Sequence, residues 1–497
     1  MTEPVEVTSV HSPATPVVKT LQHLIGGTWT DAEAVRTEDL PNPATGQALA
    51  RVPYAGATVV DAAVRSAAAA FAQWRDTPPV ERARVLFRYR GLLETHFDEL
   101  AESVTAENGK TLDEARGEVR RGIEVVEFAC GAPTLLMGSV LEDVARGIDS
   151  EVVRVPLGVV AGVCPFNFPA MIPLWMAPIA VACGNTFVLK PSERTPMTAV
   201  RLADLLGHAG LPAGVLNLVH GAKEAVDALL SHREVRAVSF VGSAPVARYV
   251  YQTAASHGKR VQALAGAKNH LVIMPDADLE RTVEAILSSA FGNAGQRCLA
   301  GSVVVAVGNI ADPLVLALRA GAARLHLGAG SDPATAMGPL IRADHRAKVV
   351  DHIDRAVAAG ATLVLDGRAV ARQDGGYFLG PSIFDHVRPE MAIAQEEIFG
   401  PVLSVIRVRD LEEALRVVNA SPFGNMACIF TASGRAAREF RTNVEAGMVG
   451  VNVGVAAPMA FFPFAGWKGS FYGDLHATGR DAVEFYTERR VVTSRWF

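Results

Sequence analysis

Among the five cysteines of the chain, Cys298 is the one placed for chemistry. It stands in AFGNAGQRCLAGS, with Gly292, Gly295, Gln296 and Arg297 before it and Gly301 after it. A structural cysteine usually sits inside an apolar run. This one follows the helical stretch LERTVEAILSSAFG in a glycine-rich turn, next to a fixed positive charge. A cationic neighbour lowers a thiol pKa and raises the thiolate fraction, so the expectation is a nucleophile activated by Arg297. The other reading is a packed core thiol, the role expected of Cys130, Cys164, Cys183 and Cys428.

Three further segments carry polar groups in apolar settings. In GVVAGVCPFNFPAMIPLWMAP, Asn167 stands in a proline-fixed turn. A buried amide must be hydrogen-bonded; Asn167 either ties down its own loop or aims its N–H₂ at an oxyanion, where such a donor stabilises a transition state. In GNTFVLKPSERTP a strand ends at Lys190, with Glu193 just beyond. Ligands bind beyond the carboxyl ends of parallel strands. An acidic residue there accepts ribose hydroxyls of an adenosine and repels a 2′-phosphate, so Glu193 favours NAD over NADP; the alternative is a solvated Lys/Glu pair. In AVSFVGSAPVARYV, a strand, Gly242 and Ser243 lead into a helix whose N-terminus suits a pyrophosphate. The GxGxxG fingerprint is absent.

These segments need elements to position them. Residues 60–130 read as helix, rich in Ala and Leu. Short apolar strands then alternate with helices: VVRVPLG, GVVAGVCP, TFVLKP, GVLNLVHG, AVSFVG and HLVIMP form one set. A second set comprises SVVVAVG, helices near 311–325 and 343–359, ATLVLDG and LSVIRV. Such alternation implies parallel α/β sheets with crossover helices. A length of 497 residues fits two such domains, with a boundary near 265–275 and the Cys298 segment at the junction. Residues 1–20, rich in Pro, Ser and Thr, read as a mobile tail without the basic and apolar regions of a signal peptide.

The formal net charge of −5 supplies no basic excess for nucleic acid or a membrane surface. Five scattered cysteines without a CxxC pair fit neither a disulfide framework nor a zinc site, so a reducing, cytoplasmic setting without a bound metal is expected. The 35 residues between Arg154 and Lys190 carry no charge and are long enough to span a membrane. Five prolines, from Pro156 to Pro178, interrupt them, which favours a buried strand–loop–helix region.

Taken together, PFNFP, KPSERTP, FVGS, AKN, GQRC, EEIFGPV and GVN resemble the aldehyde dehydrogenase superfamily, in its order and across nearly the whole chain. The resemblance implies Cys298 as nucleophile and Asn167 as oxyanion-hole amide. It places Phe166, Lys190, Glu193, Gly242, Ser243, Glu397 and Phe399 around NAD, with Glu397 on the nicotinamide ribose and Phe399 beside the ring. Ala247 stands where many members have a glycine. The implied fold has two parallel-sheet α/β domains and a small oligomerisation arm. The cofactor domain would comprise 20–138 and 158–266, the catalytic domain 267–470, and the arm 139–157 with 471–497; a homotetramer is the implied assembly.

Leu264, in RVQALAGAKNH, departs from hydrolytic members, which carry a water-activating glutamate there. A leucine cannot act as a general base. The chain is similar here, and in FGNAGQRC, VEFACGAPTLLMG and EFYTERRVVTSRW, to the CoA-acylating methylmalonate-semialdehyde dehydrogenase branch. That branch oxidises and decarboxylates methylmalonate or malonate semialdehyde and passes the acyl group to coenzyme A, in valine or inositol breakdown. It reads the substrate carboxylate with two arginines, here matching Arg121 and Arg297, although Arg120 is adjacent and Arg121 also reads as a solvated helix charge. A hydrolytic enzyme releasing free acid and a catalytically silent protein on the same fold are the alternatives.

Overall fold

The computed structural model describes residues 18–369 and 375–497. Most of the N-terminal tail reading therefore lies outside the described residues. The helical reading of 60–130 resolves into four helices, Ala57–Asp76, Pro79–Thr95, Phe97–Asn108 and Leu112–Cys130. Pro79 opens the second, where a missing N–H costs nothing. Thr111 and Glu114 open the fourth with a reciprocal capping box.

Two large sheets follow. The first has eight strands in the order Thr28–Thr30, His23–Ile25, Leu216–Leu218, Thr186–Lys190, Val159–Val163, Val235–Val241, Arg260–Leu264 and Phe471–Tyr472. Its five central strands are parallel, and VVAGV and TFVLK are buried throughout. A parallel strand covered on both faces cannot alternate polar and apolar residues, which is why these segments read as continuous apolar runs. Chain order leaves Val159–Val163 in both directions: Thr186–Lys190 lies on one side and Val235–Val241 on the other. That reversal opens a crevice at the strands' carboxyl ends. The second sheet has seven strands, with Gly301–Val307 between Asn269–Ile273 and Val402–Val408, and is parallel apart from the edge strand Thr362–Leu365.

VVRVPLG, counted from its pattern among the parallel strands, is a correction. It belongs to Ile148–Pro156, which pairs antiparallel with Thr487–Arg495 and with Ser139–Ala145 in a separate three-stranded sheet. The pattern also gave no sign of the hairpin Ala34–Pro41 with Ala48–Ala55. The uncharged stretch becomes a strand, a loop, the buried helix Met171–Ala182 and a second strand. No helix among the described residues is long and apolar enough to cross a membrane.

Candidate active site

Cys298 follows the helix Leu279–Phe291 and a turn, Gly292–Gly295, with an unusual backbone. Asn293, Ala294 and Gly295 all have positive φ, at 50°, 50° and 74°. Non-glycine residues reach that region at a cost, so the surroundings must hold them there. They do. Glu114 accepts the Asn293 N–H at 2.7 Å, and Gln296, fully buried, bonds the Asn293 carbonyl and the Ile341 N–H. The Cys298 carbonyl accepts from the side-chain amides of Asn269 and Asn425, at 2.9 and 3.0 Å. The nucleophile candidate is thus fixed through its main chain, with its side chain left to the pocket.

That pocket is lined by Cys298, Arg297, Asn269, Ala267, Glu397 and Phe399, among others. It overturns one expectation. The Cys298 thiol is pushed up to about 12, first by burial and then by the Glu397 carboxylate; Arg297 opposes this only weakly. The Arg297 guanidinium is turned away to the C-terminal carbonyls of the preceding helix, those of Ser288 and Ser289. Its Nε has no hydrogen-bond partner among the described residues. Proximity in sequence put a positive charge beside the thiol, but burial outweighs it. The other four cysteines are buried, their thiols also raised, Cys130 to about 11 and the rest to about 12.

Asn167 lies in the loop between Val159–Val163 and Met171–Ala182 and is 4% exposed. Its main chain is tied down, yet its side-chain amide makes no hydrogen bond with the described residues. Of the two readings of this residue, a side chain securing its own loop is therefore not the one observed. Its N–H₂ is therefore available to a ligand, and a developing oxyanion would accept from it. Asn293 Nδ2 reaches the Asn167 carbonyl at 3.5 Å, which brings the Asn167 loop and the Cys298 turn together.

The crevice of the first sheet gathers the expected cofactor residues. Lys190 ends its strand, with Nζ at 2.8 Å from the Gly221 carbonyl and 3.3 Å from Glu193. Glu193 remains ionised, held below the usual range by Lys190 and Arg194 against the opposing effect of burial. Gly242 follows the strand Val235–Val241, and a Cβ there would run into the Phe240 ring. Ser243 caps the helix Ala244–Ser256 without a side-chain hydrogen bond; Pro245 has no N–H, which leaves those of Ala244 and Val246 for an anion. These residues fit a dinucleotide with a ribose at Glu193 and a pyrophosphate at Ser243. Glu397 sits where the two sheets meet: it accepts the Ala267 N–H at 2.9 Å, and burial pushes its carboxyl up to about 7. Phe399, at φ 58°, packs edge-on to Phe166 at 5.7 Å.

The two arginine candidates separate cleanly. Arg120 is exposed and forks onto Glu94. Arg121 is half-buried and faces the Pro458 carbonyl in a small cavity with Trp175 and Phe464. Sequence reasoning missed Asn108, Lys110, Glu114, Arg194 and His345. His345 holds the Phe399 carbonyl at 2.8 Å, and Arg194 lies over the Phe166 ring. Only Glu114 had a local signal, the Thr-x-x-Glu capping pattern.

The chain belongs to the aldehyde dehydrogenase family, whose model matches residues 29–492. Within it, malonate-semialdehyde dehydrogenase 2 of Geobacillus thermodenitrificans is 59% identical over 96% of this chain and 99% of its own. The crystal structure of methylmalonate-semialdehyde dehydrogenase from Oceanimonas doudoroffii superposes with a TM-score of 0.95 at 50% identity, over 96% of this chain and 99% of that one. A Sinorhizobium meliloti relative crystallised with NAD gives 0.96 at 46% identity, over 97% and 99%.

Proposed function

We propose that the chain catalyses NAD-dependent oxidative decarboxylation of malonate or methylmalonate semialdehyde, with coenzyme A as acyl acceptor, giving acetyl-CoA or propionyl-CoA. The observation that carries the acyl-transfer half is Leu264. It is buried at the end of Arg260–Leu264 and offers no base for water. The names of the relatives supply the substrate class.

In this reading Cys298 Sγ, once deprotonated, attacks the aldehyde carbon, and Asn167 with the Cys298 N–H receives the charge on oxygen. NAD supplies the hydride acceptor when bound, and its ring charge acts to lower the thiol pKa. Phe166, Lys190, Glu193, Gly242, Ser243, Glu397 and Phe399 are the residues assigned to hold it. The thioester carbonyl left on Cys298 lies β to the substrate carboxylate and takes up the electron pair when CO₂ departs; the enolate so formed takes a proton from water at its α carbon, which restores the thioester carbonyl. Coenzyme A thiolate then attacks that carbonyl, expelling Cys298. Arg121 and Arg297 are assigned to the carboxylate; the unpartnered Nε of Arg297 supports this for the second.

The domain division 20–138 with 158–266, 267–470, and 139–157 with 471–497 is proposed alongside, as are a homotetrameric assembly and a cytoplasmic setting. Five free cysteines suit the last. The hydrolytic alternative has one observation in its favour: Glu397, near neutrality in its titration, faces the same pocket as Cys298. NADH formation without coenzyme A separates the two. A burst of one NADH per chain followed by a stall is expected; steady turnover at the full rate would overturn the reading.

A further inference from the structure

One short segment, from the end of the helix Phe97–Asn108 into the helix Leu112–Cys130, touches the Asn167 loop at four points. Asn108 Nδ2 donates to the Phe166 carbonyl at 3.1 Å. Lys110 Nζ donates to the Asn167 carbonyl at 2.7 Å. Glu118 accepts the Ala170 and Met171 N–H groups, at 2.7 and 3.1 Å, and so fixes the start of the following helix. Lys110 and Glu118 pair with each other at 2.6 Å, both essentially inaccessible to solvent. Four residues further along from Lys110, Glu114 holds the Asn293 N–H of the Cys298 turn. The segment's own position is fixed from the catalytic side, since the Leu112 N–H donates to the Gly330 carbonyl.

A buried ion pair is a poor source of stability, because desolvation offsets its Coulomb attraction. Its geometry here serves something else. The ammonium of Lys110 lands on the main-chain carbonyl of the very residue whose side-chain amide is left unengaged. We infer that Lys110, seated by Glu118, is a positioning residue that holds the Asn167 amide at the reacting oxygen, while Glu114 on the same segment sets the thiol opposite it. This rests on the reading of Asn167 as the oxyanion donor. A loop free to drift by an ångström loses about 100-fold in rate without losing its contacts to cofactor.

The test compares two reactions of Cys298 in the full-length protein. Acylation by p-nitrophenyl acetate passes through an oxyanion; alkylation by iodoacetamide displaces iodide at a saturated carbon and forms none. The double variant Lys110→Met with Glu118→Gln removes both buried charges and keeps an acceptor for Ala170 and Met171. It should slow acylation by about 10- to 100-fold, leave alkylation within about twofold, and leave the NAD dissociation constant unchanged. Lys110→Arg, which keeps the charge and a donor, should recover most of the acylation rate. Asn167→Ala serves as the reference. If Asn167→Ala slows acylation selectively but the double variant does not, the positioning role is wrong. If Asn167→Ala itself leaves acylation intact, the oxyanion assignment is wrong. A parallel fall in both reactions of the double variant would mark general damage to the site and also overturn the positioning role.

Discussion

A thiol pushed up to about 12 is protonated at neutral pH, and only its thiolate attacks carbonyl carbon. The sign follows directly: each unit of pH rise increases the thiolate about tenfold until the pKa is reached. Iodoacetamide alkylation of cofactor-free protein should therefore climb log-linearly between pH 7 and 10, without a plateau. A plateau below pH 8 would show a thiol already activated, as the Arg297 neighbour alone suggested. Adding NAD should accelerate alkylation at pH 7. Asn167→Ala should lower single-turnover NADH formation by about 100- to 1,000-fold, the usual loss for one oxyanion donor. Arg297 has one observed role, on the helix-end carbonyls, and one proposed role, on the substrate carboxylate. Its replacement by Ala should raise KM for a semialdehyde bearing a carboxylate far more than for propanal. It should also lower Tm, because two helix-end carbonyls lose their partner at about 1–3 kcal/mol. Equal effects on both aldehydes would remove Arg297 from the carboxylate.

At the scale of elements, the turn before Cys298 is tightly constrained. Gly295→Ala would force a Cβ into the Gly400 carbonyl at a positive φ. The backbone cost alone is about 1–3 kcal/mol, and the displaced turn should cut NADH formation strongly while NAD still binds. Near-normal turnover would show the turn to be adaptable. The parallel strands were legible because burial on both faces leaves unbroken apolar runs, as in VVAGV. The edge elements were not: VVRVPLG looks like a core strand but is half-exposed along its length. Cys298, Asn167 and Glu193 stood out as candidates because each sits in a sequence context at odds with plain packing, and the register of the other motifs, not that context alone, turned them into site assignments. Lys110 did not. Its target is a carbonyl 57 residues away, and no periodicity or local motif records a side chain reaching for main chain at that separation.

Over the whole molecule, the two sheets meet where the chain passes from Leu264 to Asn269, and Glu397 crosses back to Ala267 in that same passage. Ala267, Glu397 and Cys298 line one pocket there, which is where the proposed cofactor site would have to meet the thiol for hydride transfer. The three-stranded arm carries Val140, Leu141, Val144 and Val491 exposed, a surface suited to a second copy of the chain. Val491→Lys with Leu141→Glu should shift the sedimentation coefficient to a smaller species, and an unchanged coefficient would assign the assembly to another surface. The central claim concerns what leaves Cys298, and it is tested most directly by mass spectrometry of the product from malonate semialdehyde with NAD and coenzyme A. Acetyl-CoA, formed one for one with NADH and CO₂, is the predicted result; malonate or acetate as the main product, independent of coenzyme A, would contradict it.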